Sequence, residues 1–509
     1  MKKLFRFLVL ILPAALYFSY FPLIHFGEDA SMNFEISLPL IWLVLFDITV
    51  LIMAAGKKEF WQGILKHWPW LLLPVWLSLS VIWSLNLTRG LLTAGILWLI
   101  YLAIYGFYFL RELFDLKFRV KFWKVFYGST FVVCAWCFLQ CILDLAGIGR
   151  EFTLMCAGCT YSMFGFPHPN GFAIEPQFMG NLLLAPVITL IYFILKDDSD
   201  STFQGRDTRA RLHEARALIL DSDLRKPFKV LLLFVFLATL FLTFSRGAIY
   251  AFVVAMVFMS VFMIVREKKK TRAEIARRVG LVCGIIVIAF VFILNLQGVM
   301  AASSPTNDTY HDGVSKVLNH LSLGIIDIRS EKKIDSNSSS NQSAESVSET
   351  IESSAKQDNT REAAFDGYVA ESTDARIYLS NAAIMSWQKN FVTMMFGVGL
   401  GGAGQAIHEN EFTLTPKEIV QNQYVSLLLE TGVIGVLLLV FTMCLVLQLV
   451  WKKSLLSVPM LLALMIAYGV SLCFFAGLPN ALQIYLLFGL LVVFCLDDKP
   501  VRLKCLFRV

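Results

Sequence analysis

Long apolar runs divide the chain, and the polar residues are concentrated in the segments between them. A helix needs about 20 apolar residues to cross the hydrocarbon layer of a bilayer. Runs that approach this length occupy residues 4–24, 37–55, 69–86, 90–110, 125–147, 176–195, 229–244, 247–265, 279–297, 423–450, 455–475 and 481–496. The pattern predicts an all-α integral membrane protein with about 12 transmembrane helices.

Two of these runs, the stretch at residues 229–265 and the first run of the chain, differ from simple membrane spans. Residues 229–265 form one apolar stretch that is too long for a single crossing and is interrupted by Ser245, Arg246 and Gly247, so we expect a helical hairpin. The start of the chain resembles a signal peptide, but no convincing small-residue cleavage site follows Leu23. We therefore expect a retained first helix.

Composition agrees with a membrane protein. Hydrophobic residues make up 57% of the chain and charged residues only 16%, which is too little charge to coat a soluble surface of this size. These values exclude a cytosolic enzyme, a collagenous chain and a wholly disordered one. The net charge of +6 comes from Lys and Arg in short loops, so it reports topology and predicts no nucleic-acid partner.

The distribution of basic residues predicts orientation. With a cytoplasmic N-terminus, 32 of the 44 Lys and Arg residues fall on cytoplasmic segments and 12 on external ones. Both termini are then cytoplasmic, and a large external loop lies between spans 9 and 10. The predicted divisions are residues 1–297 with spans 1 to 9, 298–422 as the external region, and 423–509 with spans 10 to 12.

The external segments are uneven. Residues 148–175 and 298–422 form the two long ones, and residues 336–354 hold nine Ser in nineteen positions, which predicts a disordered insert. Helical apolar spacing runs from Arg376 to Trp387, so ordered structure is expected to resume near Asp374. The glycines of residues 397–402 predict a flexible, turn-rich stretch.

Several polar groups gather at the predicted external boundary. They are Arg246 at the hairpin tip, Arg376 at the start of an external helix, Arg150, and Glu175 immediately before span 6. A single interfacial Arg can simply extend toward lipid phosphates. Two or more converging guanidinium groups would suit an anionic lipid headgroup or a diphosphate, because they bind phosphate bidentately.

Four motifs follow one another on the predicted external face. They are Gly165-Phe166-Pro167-His168-Pro169-Asn170-Gly171-Phe172-Ala173, Thr243-Phe244-Ser245-Arg246-Gly247-Ala248, Arg376 followed by Phe396-Gly397-Val398-Gly399-Leu400-Gly401, and Asn422 followed by Glu430-Thr431-Gly432-Val433-Ile434-Gly435. Their order resembles the O-antigen ligase and polysaccharide polymerase superfamily. Together they cover roughly residues 160–440. Each motif alone is common, and their order on one face carries the resemblance.

The resemblance implies a glycosyltransferase of the bacterial cytoplasmic membrane with an external active face. Its donor would be a glycan carried on undecaprenyl diphosphate, its acceptor a glycan or lipid, and its surroundings membrane lipids. Arg246 and Arg376 match the family's donor-diphosphate arginines, and Arg150 is a third candidate. His168, Asn170 and Glu175 are further candidates. The implied reaction needs no metal and no cofactor, because guanidinium groups offset the charge of the departing diphosphate.

One position departs from the family pattern. Ligases of the family place a His just before Asn422, where it can accept the proton of the acceptor hydroxyl, but this chain has Val420 and Gln421 there. The open alternatives for the proton acceptor are Glu430, Glu409, Glu411 and His408. We therefore predict Glu430 and Asn422 as catalytic candidates and keep both ligation and polymerisation open.

Cysteines and membrane-buried acids favour structural roles. Cys134, Cys137 and Cys141 have helical spacing typical of packing residues, and Cys156 with Cys159 suggests a disulfide or inert thiols rather than a metal site. Asp47 lies near the middle of span 2 and should face the bundle interior, for structure or for function.

Two other functional classes compete. A twelve-helix transporter or flippase of lipid-linked sugars has a similar number of spans, but transporters place ionisable groups near the membrane midplane. In this sequence most notable polar groups lie at the external boundary instead. A structural or signalling protein that displays the Ser-rich insert would explain neither Arg246 nor Arg376.

Overall fold

The computed structural model describes residues 1–19, 22–26, 34–156, 159–160, 166–196, 226–266, 269–303, 309–323, 325–326, 363–413, 419–453, 457–475 and 482–496. Its helices are α1 (Lys2–Tyr17), α2 (Leu38–Ala54), α3 (Lys58–Lys66), α4 (Leu72–Ser80), α5 (Leu87–Phe109), α6 (Leu116–Leu145), α7 (Arg150–Thr153), α8 (Pro176–Lys196), α9 (Lys226–Leu242), α10 (Arg246–Arg266), α11 (Lys269–Ser303), α12 (Tyr310–Leu321), α13 (Ala363–Trp387), α14 (Phe391–Phe396), α15 (Ala403–Glu409), α16 (Gln423–Lys453), α17 (Val458–Ser471) and α18 (Leu482–Phe494). The Ser-rich insert at 336–354 lies outside the described residues.

Every predicted apolar run contains a helix in this structure. Six helices in the described part of the chain are long and apolar enough to cross a membrane: α5, α6, α8, α10, α11 and α16. The pair α2 and α3, bent by 114°, has the length and composition of one broken span or of a re-entrant loop, and shorter apolar helices include α9, α17 and α18. A helical, multi-pass membrane protein is therefore confirmed, whereas twelve crossings and the positions of the termini stay predictions.

The start of the chain differs from the predicted first span. α1 ends at Tyr17, and Pro22–Phe26 pairs with Phe34–Ser37 as a two-stranded antiparallel hairpin. Periodicity alone does not separate a short buried strand from the end of an apolar helix, so the prediction extended the helix into the first strand. This hairpin is the addition to an otherwise helical fold.

Helix α8 is the centre of the bundle. Its apolar window is completely buried, and α9, α10, α11 and α17 all pack against it. A helix that is hydrophobic on every side belongs in a core, which explains why α8 has no polar face. Few residues in the apolar windows of α16 and α11, by contrast, are fully buried, as expected of helices that face lipid.

The acid in the second span is buried as predicted. Asp47 on α2 is 2% exposed, and neither carboxylate oxygen finds a hydrogen-bond partner among the described residues. Its sequence neighbour Phe46 belongs to the aromatic core that joins α1, α2 and α5, and contacts Phe5 and Phe107 there. The side chain faces the protein interior and avoids lipid.

The predicted hairpin is also confirmed, with its break between Leu242 and Arg246. Phe244 adopts a positive φ of 48°, and Gly247 approaches the segment after α17 so closely that a Cβ there would lie 2.8 Å from the Cβ of Phe474. The chain therefore reverses at a crowded, protein-covered turn. This turn fixes the point at which α10 begins.

Helix α12 packs against the end of α11 through small residues. A Cβ on Gly313 would lie 2.6 Å from the Cβ of Ala301 and 2.8 Å from the carbonyl oxygen of Gln297. A capping box of Thr309 and Asp312 fixes the start of α12. The close approach holds the far end of α12 beside the α9–α10 turn.

Candidate functional site

Arg246 opens α10 and is largely buried. It is 8% exposed, although guanidinium groups are among the side chains least often buried. The N-terminus of a 21-residue helix adds partial positive charge at the same place. This end of α10 is therefore a site of concentrated positive potential inside the protein.

His320, near the end of α12, faces this turn. Its Nε2 lies 3.0 Å from the carbonyl oxygen of Phe244. A carbonyl oxygen only accepts hydrogen bonds, so Nε2 carries the proton and donates it. In the neutral ring, the lone pair is then on Nδ1.

Burial and positive charge keep this imidazole neutral. Desolvation, then Arg246 and Arg376, lower the pKa of His320 to about 4, and the hydrogen bond to Phe244 only partly opposes them. Both arginines therefore lie within electrostatic range of one histidine although they are far apart in the sequence. We call Arg246, His320 and Arg376 the arginine–histidine cluster.

The sequence analysis did not identify His320. A signal was available, because Gly313, Val317 and His320 follow helical spacing and are all on the buried face of α12. An apolar face that continues into a histidine places that histidine against the neighbouring element. Which element it meets depends on the packing of α12 against α11.

Arg376 is half-buried in the middle of α13, and this corrects the prediction that it starts the helix. The helix begins at Ala363, and the polar residues before Asp374 concealed its first three turns because they carry little hydrophobic periodicity. The correction means that Arg376 is held by helix on both sides. Its position is therefore better defined than that of a residue at a helix end.

Glu175 lies at the edge of the cluster. Its side chain is exposed, yet desolvation raises its pKa, and the positive charge of Arg376 opposes this rise. Glu175 and Arg376 therefore lie close enough for their charges to interact, just before α8 begins.

His168 packs against both Phe244 and His320. The His168 ring centroid is 4.9 Å from that of Phe244, 5.0 Å from Phe166 and 6.1 Å from His320. Burial and the nearby His320 keep the pKa of His168 well below its usual range. His168 therefore belongs to the group of rings that surrounds His320.

Asn170 is fully buried and holds the turn that carries His168. Its Nδ2 donates to the carbonyl oxygens of Ala173 and, at 3.3 Å, Leu154. This geometry gives Asn170 a positioning function within the loop. The side chain of Arg150 lies outside the described part of the structure, and Cys156 forms a disulfide with Cys159.

The glycine stretch 397–402 is an ordered loop, not the flexible segment that its composition predicted. Gly399 and Gly401 have φ values of 90° and 80°, and a Cβ on Gly399 would lie 2.2 Å from the Cα of Ser84. The hydroxyl of Ser84 donates to the carbonyl of Leu400 at 2.7 Å. These groups lie more than 300 residues apart in the sequence, which is why composition did not reveal the order.

Glu430 is bound to this glycine loop. Its carboxylate accepts hydrogen bonds from the backbone N–H groups of Gly401 and Ala403, and Arg89 is the charged group that acts on it. Its own carbonyl accepts from the N–H of Gly399 at 2.9 Å. The helix α16 breaks immediately afterwards, at Gly432 with a φ of 66°. We call these contacts of Glu430 the glycine-loop anchor.

The remaining candidates have local partners. Asn422 caps α16 by accepting from the N–H groups of Tyr424 and Val425 at 3.1 and 3.2 Å. The Nδ1 of His408 is 2.8 Å from the carbonyl of Thr413, and Glu409 accepts from Gln405. Asn422 thus caps the start of α16, and His408 and Glu409 form local contacts at the end of α15.

A cavity of about 430 Å³ lies between α4, α5, α16, α17 and α18. Its lining is almost entirely apolar, with Arg111 and His67 among its few polar residues. It does not include any member of the arginine–histidine cluster. Within the described residues, no group of three His, Cys, Asp or Glu side chains is placed to hold a metal ion.

Comparison with known families supports the resemblance seen in the motifs. Residues 231–440 match the family model described as O-antigen ligase, and no curated protein matches the chain. The matched segment contains Arg246, His320, Arg376 and Glu430, whereas His168 and Glu175 lie before it. The match supports the predicted superfamily over these residues, and it indicates the function of a membrane glycan ligase or polymerase.

Proposed function

We propose that this chain, whose residues 231–440 belong to the O-antigen ligase family, is a membrane glycosyltransferase. It polymerises or ligates glycans carried on undecaprenyl diphosphate at the outer face of the bacterial cytoplasmic membrane. The observation that carries the proposal is the convergence of Arg246 and Arg376 on one buried histidine. Two guanidinium groups and a helix N-terminus fit a diphosphate better than they fit any neutral ligand.

The chemistry follows from where charge develops. When the acceptor hydroxyl attacks the anomeric carbon of the donor sugar, negative charge builds on the departing diphosphate. Arg246 and Arg376 stabilise that charge from fixed positions, which is the usual source of large rate enhancements. They supply the positive charge that Mg²⁺ supplies in other transferases, so the reaction requires no divalent metal.

The two arginines differ in how they are held. Arg246 is buried at the start of α10, and Arg376 is half-buried on α13 beside Glu175. We propose that Arg246 binds the phosphate nearest the helix terminus and that Glu175 orients Arg376 for the other one. Arg150 remains a third donor candidate from the sequence.

The lipid part of the donor needs an apolar place. The cavity between α4, α5, α16, α17 and α18 suits an isoprenoid or acyl chain, because its lining offers almost only apolar contacts. Its separation from the cluster is compatible with a long carrier lipid. Leu97 lines this cavity. Leu97→Trp or Leu97→Phe would then weaken donor binding and leave the arginine–histidine cluster unchanged.

The direct test is transfer by purified protein in liposomes with a lipid-linked donor. Arg246→Ala and Arg376→Ala should each lower turnover about 100-fold or more, as expected for loss of one charge-stabilising donor. Lys389→Ala is the matched control, because Lys389 is an exposed cation of the same segment that contacts Asn410. Full turnover in both arginine variants would refute the proposal.

Analysis of a deletion strain separates the detailed alternatives. Loss of a polymerase leaves single repeat units on the lipid carrier, and loss of a ligase leaves polymerised chains on it. Loss of a flippase also leaves single units, but these stay on the cytoplasmic leaflet. Accumulation on that leaflet would favour the transporter reading.

A further inference from the structure

We propose that His320 is the general base that accepts the proton of the acceptor hydroxyl. The inference rests on the proposed transferase function. It assigns to His320 the proton-accepting role for which Val420 and Gln421, before Asn422, supply no base. It follows from the position of the ring within the arginine–histidine cluster and from the atom that holds its proton.

The tautomer makes the ring competent. Because Nε2 donates to the Phe244 carbonyl, the lone pair of the neutral ring is on Nδ1, and Nδ1 has no hydrogen-bond partner among the described residues. The residue is only 7% exposed, so protein holds the ring in place. A fixed imidazole with a free lone pair is the usual form of a general base.

The surrounding charges keep the ring unprotonated before the donor binds. Among the described residues, Arg246 from α10 and Arg376 from α13 act on the ring, and His168 from the loop before α8 lies 6.1 Å from it. Its low pKa means that almost every molecule carries the neutral ring at pH 7, ready to accept a proton. The same low pKa makes it a weak base in the empty site.

Binding of the donor removes this weakness. A diphosphate between Arg246 and Arg376 offsets their positive charge, and its own negative charge favours the imidazolium form. The pKa of His320 therefore rises toward neutral pH only when the donor is in place. The negative charge of the bound diphosphate therefore makes His320 a stronger base.

The step balances without a further reactant. The acceptor oxygen forms a bond to the anomeric carbon, and the bond from that carbon to the diphosphate oxygen breaks. The diphosphate leaves with the electron pair of that bond, held by the two arginines. The hydroxyl proton moves to Nδ1 of His320 and is later released to water.

The other candidates have different surroundings. The Glu430 carboxylate accepts from Gly401 and Ala403, and Arg89 is the arginine that acts on it. The Nδ1 of His408 donates to the carbonyl of Thr413 after α15, outside the arginine–histidine cluster. His320 is the histidine on which both arginines act.

The central variant is His320→Gln. The glutamine amide can still donate to the Phe244 carbonyl, so it preserves the positioning contact but supplies no base. We expect turnover to fall by about 100- to 10,000-fold, the range for loss of a general base, with donor binding retained. His311→Gln, at an exposed histidine of the same helix, is the matched control and should keep full turnover.

Two further measurements keep the test decisive. Added imidazole should partly restore His320→Ala and should leave Arg246→Ala inactive. In the wild-type protein, the acid limb of kcat should report a higher pKa than that of kcat/KM, because kcat describes the donor-bound state. Both effects would be absent if His320 served only to position Phe244.

The outcomes separate this inference from the proposed function. Near-normal turnover in His320→Gln together with loss in Arg246→Ala would overturn the role of His320 and leave the transferase assignment intact. Full turnover in His320→Gln, Arg246→Ala and Arg376→Ala would overturn both the role of His320 and the transferase assignment.

Discussion

The arginine–histidine cluster and the glycine-loop anchor use charged side chains in opposite ways. In the anchor, the carboxylate of Glu430 is satisfied by two backbone N–H groups of the loop that it holds. In the cluster, the positive charges of Arg246 and Arg376 both act on one neutral imidazole. A site that directs two positive charges to one place is prepared for an anionic ligand, whereas a carboxylate held by backbone N–H groups is prepared for stability.

The comparison divides the motif residues by role. Glu430, Asn422 and Asn170 all direct side-chain oxygens or amides to backbone groups and thereby fix loops. Arg246 and Arg376 instead come from distant parts of the sequence and both act on His320. We therefore expect substitutions in the two regions to affect different measurements.

The largest effect is expected in the cluster. Arg246→Ala or Arg376→Ala should reduce transfer about 100- to 1,000-fold with unchanged membrane insertion. Lysine at either position should rescue only partly, since it offers a point charge instead of a planar fork. Complete rescue by lysine would show that charge alone matters and would remove the bidentate part of the account.

Glu430 gives the sharpest contrast with the cluster. Glu430→Gln keeps an oxygen that can accept from Gly401 and Ala403, so turnover should stay within a few-fold of wild type. Glu430→Ala leaves two backbone donors without an acceptor and should destabilise the fold by roughly 1–3 kcal/mol for each buried donor. Thermal unfolding measures the second effect. A large loss of turnover in a stable Glu430→Gln protein would move catalysis to the anchor.

The cluster should also set how acid affects stability. The folded pKa of His320 is about 4 and its ordinary value is 6.5, so below pH 6.5 the unfolded chain binds a proton that the folded protein does not. Stability contributed by the neutral ring is therefore present above pH 6.5 and declines as pH falls toward 4. At pH 5 the loss is about 2 kcal/mol.

His320→Gln should show a smaller decrease in unfolding temperature between pH 7 and pH 5 than the wild-type protein does. His311→Gln should decrease as the wild type does, because that histidine is exposed. Equal decreases in all three proteins would contradict the low pKa of His320.

The smallest effect is expected for the Ser-rich insert. Its composition predicts a solvated segment, and changes in loop length alter closure entropy only slowly. Deletion of residues 336–354 should leave transfer within about twofold. A large loss would show that the insert contributes to the acceptor site.

How far the sequence alone could predict these features depends on the distance over which each is determined. The helices follow from local apolar length, and the α9–α10 break follows from Ser245, Arg246 and Gly247. The ordered glycine loop depends on Ser84, and His320 depends on the close packing at Gly313. Such contacts join distant segments, so neither composition nor periodicity contains them.

The same reasoning explains the partial success at the site. The arginines were predicted because buried charge at a helix boundary is costly and therefore informative. His320, the residue on which both arginines act, was not predicted. Nothing in the local pattern of α12 specifies which element its buried face contacts. Glu430 was selected from its motif, and only the backbone contacts of its carboxylate indicate an anchoring role.

The central claim is that guanidinium groups, and not a metal ion, hold the departing diphosphate. Its most direct measurement is the transfer rate of the purified wild-type protein with a lipid-linked donor in excess EDTA. The account predicts the same rate with and without the chelator. A rate that disappears in EDTA and returns with added Mg²⁺ or Mn²⁺ would contradict it.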